Sequence, residues 1–203
     1  MDSSTEILYD HYKDTCAGIG DAIRRRERLM IWLIGVLGLF AFQTAFPIET
    51  SAALSGFFLF KFGIPLSFNL SVIGTVVWFL LVMFTVRYYQ TVALIEERYT
   101  YVHKLEGYLA KVLDGPFVSR EGQAYRDAAS WFKGWTWILY TIVFPLILVL
   151  VASSEIFHDW SAIEVVCPPS IYLLLNSVAF VIVMVSTLCY LHMVHGVQNN
   201  NNA

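Results

Sequence analysis

Charge is what this chain is short of. Only 14% of its 203 residues are Asp, Glu, Lys or Arg, while 57% are hydrophobic and 16% aromatic. An ordinary soluble domain carries about 25% charged residues, so the deficit places the chain in the membrane class before any segment is inspected. Basic residues number 13 against 16 acidic ones, a balance that argues against a nucleic-acid-binding surface. Cysteine is scarce too. Cys16, Cys167 and Cys189 form no CxxC pair, which removes the usual signature of metal or redox work. There is no HExxH, no nucleophile elbow and no phosphate-cradling glycine loop. The expectation is a protein that is not an enzyme, with no cofactor and no metal.

What is present is apolar length. Four segments reach the roughly 17–25 residues that a spanning helix needs: Leu29–Pro47, Leu66–Val86, Trp135–Ser153 and Ile171–His192. None has an acid or a base in its interior. A segment in hydrocarbon must be helical, because no water is there to satisfy its backbone. The fold class expected is therefore an all-α integral membrane protein with four transmembrane helices. The first segment starts after a long polar stretch and has no fitting small-residue cleavage site, so it reads as a retained span.

The basic residues fall on one side. Lys13, Arg24, Arg25, Arg26 and Arg28 precede span one, and Arg87, Arg98, Lys104, Lys111, Arg120, Arg126 and Lys133 lie between spans two and three. Lys61 is alone between spans one and two, and the loop after span three carries only Glu155, Asp159 and Glu164. Basic residues in short loops stay cytoplasmic. Both termini and the middle segment are expected inside, with Ile48–Pro65 and Ser154–Ser170 outside. The organisation that follows is a cytoplasmic amphipathic N-terminal helix over 1–28, a first transmembrane hairpin over 29–86, a cytoplasmic stalk over 87–133, a second hairpin over 134–195 and a disordered tail over 196–203.

In the N-terminal helix Ile7, Leu8, Tyr12, Ile19 and Ile23 fall roughly on one face, interrupted by Gly18 and Gly20. Arg24, Arg25, Arg26 and Arg28 sit at the lipid headgroups. There each base contributes about 1 kcal/mol of attraction, as a topology anchor in the plain reading and as a lipid sensor in the other. The apolar loop "SAALSGFFLFKFGIP" reads as an interfacial or re-entrant turn capped by Ser51, with Phe57, Phe58, Phe60 and Phe62 at the headgroup boundary and Lys61 snorkelling.

After Arg87 the sequence has no helix breaker until Asp114-Gly115-Pro116. Tyr88, Val92, Ile95, Tyr99, Val102, Leu105, Leu109 and Val112 step by threes and fours, close to the 3.5-residue period of a coiled-coil seam. Span two is therefore expected to continue as a cytoplasmic helical extension. Its stripe must be buried against something. The segment "FVSREGQAYRDAASWFKGW" covers only about half of it and the N-terminal helix could cover more; the remainder is left for another subunit or a soluble protein as the expected partner, with the stripe the expected interface.

Polar positions within the spans are neutral: Gln43, Thr44, Asn69, Thr75, Asn176, Ser177, Ser186 and Thr187. Proton-coupled transporters usually carry an intramembrane acid, so that class is disfavoured. Asn176, Val183 and Thr187 share a face, either lining a pore or joining helices by hydrogen bonds. Glu96, Glu97 and His103 lie on the polar flank of the stripe, where a solvated face is the plain content. His192 and His195 lack a third ligand and suit a helix C-terminus. Pro145 is expected to kink span three, and Gly35 and Gly38 to let a neighbour approach span one.

The stretches "RYYQTVALIEERYTYVHKLEGYLAKVL", "SREGQAY" and "WILYTIVFPLILV" resemble a group of small bacterial four-span inner-membrane proteins. Their architecture is like that of membrane subunits of anti-phage defence systems, the Kiwa system's among them. The resemblance implies an inner-membrane effector or sensor paired with a soluble protein. Two functions compete. One is a homo-oligomeric sensor or scaffold that recruits a soluble cytoplasmic partner through the stalk. The other is a pore-forming effector that depolarises the cell.

A cysteine placed near Asp114 is expected to resist membrane-impermeant maleimide in intact cells and to react after lysis. Labelling from outside would invert the topology.

Overall fold

The computed structural model describes residues 3–64, 70–112, 135, 138–161 and 171–201. Among them all regular structure is helical: α1 spans Ser3–Ala45, α2 Pro47–Phe62 and α3 Leu70–Val112. A π-helical turn over Leu139–Val143 then leads into α4, Phe144–Ser161, and α5 runs over Ile171–Asn201. Four helices are long and apolar enough to cross a membrane, within Glu6–Ala45, Ser71–Val112, Leu139–Ser161 and Ile171–Val194. The chain divides into two compact units. One comprises Met1–Leu29 with Tyr88–Leu139, the other Met30–Arg87 with Tyr140–Ala203.

The N-terminal helix and span one are not separate elements. They are one helix of 43 residues. Gly18 and Gly20 do not interrupt it, because a glycine costs a helix only about 1 kcal/mol relative to alanine, and the arginines that follow are good helix formers. α1 ends at Ala45 because Phe46 precedes Pro47, and a residue before proline is driven out of the helical region. Phe46 adopts φ −137°.

The apolar stretch after it is a helix and not a turn. Proline stands at the first helical positions of α2, where its missing N–H costs nothing and its φ is already helical. Ser51 is therefore inside the helix and does not cap it; its carbonyl accepts from the Ser55 hydroxyl at 2.8 Å. Gly63, at φ 68°, closes the helix by donating its N–H to the Leu59 carbonyl at 2.9 Å. That left-handed conformation suits glycine because any Cβ would crowd the carbonyl. At 16 residues, α2 is about 24 Å long, too short to cross. Phe60 is the most open of its large apolar side chains, 91% exposed, and Ile48, Phe57, Leu59 and Phe62 are exposed as well.

α3 continues from its apolar half through Arg87 to Val112 without a break. The expected stop at Asp114-Gly115-Pro116 and the segment from Phe117 to Trp135 that was to cover part of the stripe fall outside the described residues, save Trp135. Span three ends later than its apolar run: the helix passes Ser153 and reaches Ser161. Pro145 is accommodated by the π turn just before it. Proline blocks the bond to the residue four back, Thr141, and a wider turn at that point absorbs the loss. α5 runs past His192 to Asn201, so residues 196–201, expected to be a disordered tail, are helical. No proline stops it there, and each added residue gains a backbone bond once the helix exists.

In the second unit the core forms around Trp78. Its ring meets Phe40 edge-on at 5.1 Å and Phe180 at 6.2 Å, an arrangement that the aromatic quadrupoles favour. Leu33, Leu81, Leu148 and Val183 are fully buried in this unit. Gly35 and Gly38 are approached by no described residue of this chain: both are exposed, and a methyl group at either would meet nothing within 4 Å.

Candidate functional site

The seam of the first unit starts from two stripes. α3 presents Tyr99, Val102, Leu105 and Leu109, and α1 presents Leu8, Tyr12, Cys16, Ile19 and Ile23. These residues pack into one cluster, with Val102 and Leu109 fully closed off from solvent. The N-terminal helix thus covers the stripe from Tyr99 to Leu109. Of the eight expected interface residues, Tyr88 and Ile95 are also buried, Val92 and Tyr99 are half-buried, and only Val112 is exposed. Ile7, placed on the inner face by the sequence pattern, points outward at 68% exposure. A helix face repeats every 3.6 residues, so Leu8, and not Ile7, is in register with Tyr12 and Ile19.

A carboxylate sits in this seam. Glu106 is buried. The Tyr12 hydroxyl donates to its Oε1 at 3.2 Å, and His103 Nδ1 stands 3.6 Å from its Oε2. The second contact is an ion pair whenever the imidazole is protonated. Glu106 belongs to the polar flank of the stripe by sequence, and its burial depends on a tyrosine 94 residues away. At the exposed edge, His11 Nε2 and the Tyr101 hydroxyl are 2.9 Å apart. Tyr9, Tyr101 and Tyr108 are exposed on the same pair of helices. Glu96 and Glu97 are exposed, as a solvated face would be.

The expected headgroup cluster is mostly outward. Arg24, Arg25 and Arg28 are exposed and Arg26 is half-buried. Arg24 pairs with Asp21 one turn earlier, with both side chains open to solvent, a geometry that contributes little.

The second unit holds a polar cluster that composition alone hides. Glu155, assigned by sequence to an outer loop, lies on α4 and is only 7% exposed. The Thr44 hydroxyl of α1 donates to its Oε1. One turn further on α4, Asp159 Oδ2 accepts from Asn176 Nδ2 of α5 at 2.8 Å. Trp160 Nε1 donates to the Ser177 hydroxyl at 3.2 Å. The interior is therefore not polar only through neutral groups. The helix carries Glu155 inward because it does not end where the apolar run ends. The clue in the sequence is the spacing of Glu155 and Asp159 by four with no glycine or proline between them.

Asn176 and Thr187, the candidate pore or interhelical residues, are both buried together with Val183. Asn176 ties α5 to α4, while Thr187 returns its hydroxyl to the Val183 carbonyl of its own helix at 2.8 Å. Among the described residues no group of three or more His, Cys, Asp and Glu is placed to hold a metal. Cys16 and Cys189 are free thiols. No family model, curated protein or solved structure matches the chain.

Replacing Tyr12 with Phe removes the hydroxyl that donates to Glu106 Oε1 and is expected to destabilise the docked N-terminal helix by about 1–3 kcal/mol. Tyr12→Phe combined with Glu106→Gln should cost less than the sum of the two single changes. Limited proteolysis of residues 3–20 in the full chain reads the effect. Additive losses would mean that the two side chains do not act together.

Proposed function

We propose that the chain is a multi-pass protein of the bacterial inner membrane, with both termini and residues 87–133 cytoplasmic, that assembles as a homo-oligomeric sensor or scaffold. It recruits a soluble cytoplasmic protein to the paired ends of α1 and α3. The observation that carries this reading is the pairing itself. Two helices that each hold a membrane-length apolar stretch continue unbroken and pack on one another through Tyr12, Ile19, Val102, Leu105 and Leu109. A chain that needed only an anchor would gain nothing from 43-residue helices.

Because the seam is filled from within, its buried residues build the module, and the outward residues meet the partner. Tyr9, Tyr101, Tyr108 and Val112 are exposed apolar or aromatic side chains on that pair. Aromatic residues supply large contact area at low entropy cost and dominate binding hot spots. Gly35 and Gly38, open on the surface of α1, let the backbone of a second copy come close in lipid. The resemblance to membrane subunits of anti-phage systems supports a defence setting. The basic residues on one side support the orientation.

The test is a mass measurement. Full chain extracted in detergent from cells that carry its native operon is expected to elute as an oligomer with a soluble protein bound. Tyr101→Arg with Tyr108→Arg should release that protein and leave the oligomer and its helix content unchanged. A monomer that brings nothing with it, or a double variant that retains the partner, overturns the proposal.

A second reading, a pore-forming effector that depolarises the cell, is favoured by one observation, the buried Glu155 beside the Asp159–Asn176 pair. Liposomes loaded with the purified oligomer should then leak ions, and Glu155→Gln should slow the leak. Bilayers that stay silent under intact oligomer remove this reading.

A further inference from the structure

The polar cluster of the second unit is short of positive charge. Glu155 and Asp159 lie one turn apart on α4 and bring two carboxylates. Among the described residues neither forms an ion pair with Lys or Arg. His158, between them in sequence, is exposed and acts on Glu155 only through space. Donors are also few. The Thr44 hydroxyl has one proton, yet it is within bonding distance of both Glu155 Oε1 and the Phe40 carbonyl, the latter at 3.0 Å. The Phe40 carbonyl already accepts the helical N–H of Thr44, so the hydroxyl proton is free to serve Glu155. Asp159 receives an N–H from Asn176.

Asn176 supplies the independent sign of a ligand. The residue is only 5% exposed, and its Oδ1 is buried with no hydrogen-bond partner among the described residues. The two polar atoms of an amide are about 2.3 Å apart by its covalent geometry. Since Nδ2 is 2.8 Å from Asp159 Oδ2, Oδ1 lies within about 5 Å of that carboxylate oxygen. A buried carbonyl oxygen without a donor costs about 1–3 kcal/mol. Turning the amide over would not help, because Oδ1 would then face a carboxylate. An excess of oxygens over donors at a site with two carboxylates is resolved by a cation, since buried charges are paired or coordinate metals.

We propose that Glu155, Asp159, Asn176 Oδ1 and the Thr44 hydroxyl oxygen form a site for a hard divalent cation of the calcium class. All four are oxygen ligands, the set that suits calcium, magnesium and manganese. Two carboxylates match a double charge. The ligands come from three helices with no fixed octahedral frame, and calcium accepts irregular oxygen shells where magnesium does not. Asp159 is half-buried and gives the ion a way in. Bound there, the ion ties α1, α4 and α5 together. The site stands on the second unit alone and is independent of the scaffold reading.

Full-length protein, purified in detergent, stripped with EGTA and titrated with calcium chloride, is expected to bind one ion per chain saturably. A site with two carboxylates should have a Kd on the order of 10⁻⁴ M, and the melting temperature should rise as it fills. Glu155→Gln and Asp159→Asn keep an acceptor for Thr44 and for Asn176, and each should weaken binding by at least about tenfold, as loss of a charged ligand does. Thr44→Val removes only a neutral ligand and should weaken it less, which keeps the test open if an acidic variant does not fold. Glu49→Gln, on exposed α2, should change nothing. The proposal is overturned by wild-type protein that takes up no calcium, by sodium or magnesium binding more tightly, or by variants that bind as well as wild type. It is also overturned if Glu155→Gln raises the melting temperature and calcium shifts that of neither wild type nor variant, which would mark Glu155 as a protonated acid.

Discussion

An amide that cannot reach water must find its partner inside the molecule, and the rest of this structure depends on that constraint. In an apolar segment it forces the helix, since only a helix closes its own backbone bonds. It also explains why helices here outrun their apolar stretches. Once a helix is nucleated, each further residue adds a bond, and nothing in "ASSEIFHDW" or "RYYQTVALIEERY" opposes it. Arginines and glutamates are good helix formers. Composition therefore changes along α1, α3 and α4 while the backbone does not, and charged or polar residues arrive where only apolar ones were expected.

This is why the sequence was legible in one respect and opaque in another. Apolar length located four helices that the structure contains, and the seam pattern carried span two onward to Val112. Boundaries failed wherever hydropathy stood in for helix continuity. Residues 1–28 do fall in a different compact unit from the span that follows, although one helix runs through both; Ser153 was taken as the end of span three because the apolar run ends there. α2 was missed for the opposite reason. "SAALSGFFLFKFGIP" has helix-compatible residues throughout, and Pro47 in front of it is a start signal, but its apolar character invited a membrane reading before a secondary-structure one.

The candidate sites show the same limit at the level of side chains. A stripe such as Val102, Leu105 and Leu109 announces itself locally, because its members are neighbours on one helix. What covers it does not: Tyr12 and Ile19 come from the far end of the chain. A buried acid is harder still. Glu106 lies three residues from His103 and could be read as half of a surface pair, and Glu155 could be read as the first acid of a loop. Each becomes internal only through a partner on another helix, Tyr12 in one case and Thr44 in the other. Periodicity reports faces, and it carries no information about which two faces meet.

The two buried carboxylates are nevertheless different objects. Each is held by a neutral hydroxyl, which fixes its position without cancelling its charge. Glu106 has His103 within 3.6 Å, so a proton on the imidazole can balance it, and the seam lies beside charged, exposed side chains such as Glu96 and Lys104. Glu155 has a second carboxylate one turn away and an amide oxygen with no donor. In water these differences would be small. Away from water, the cost of an uncancelled charge grows as the local dielectric falls. The first arrangement is complete from the chain's own residues and suits a joint that holds two helices in register. The second is not complete from the described residues, and a structure that keeps such a deficit in its interior points to something that arrives from outside the chain.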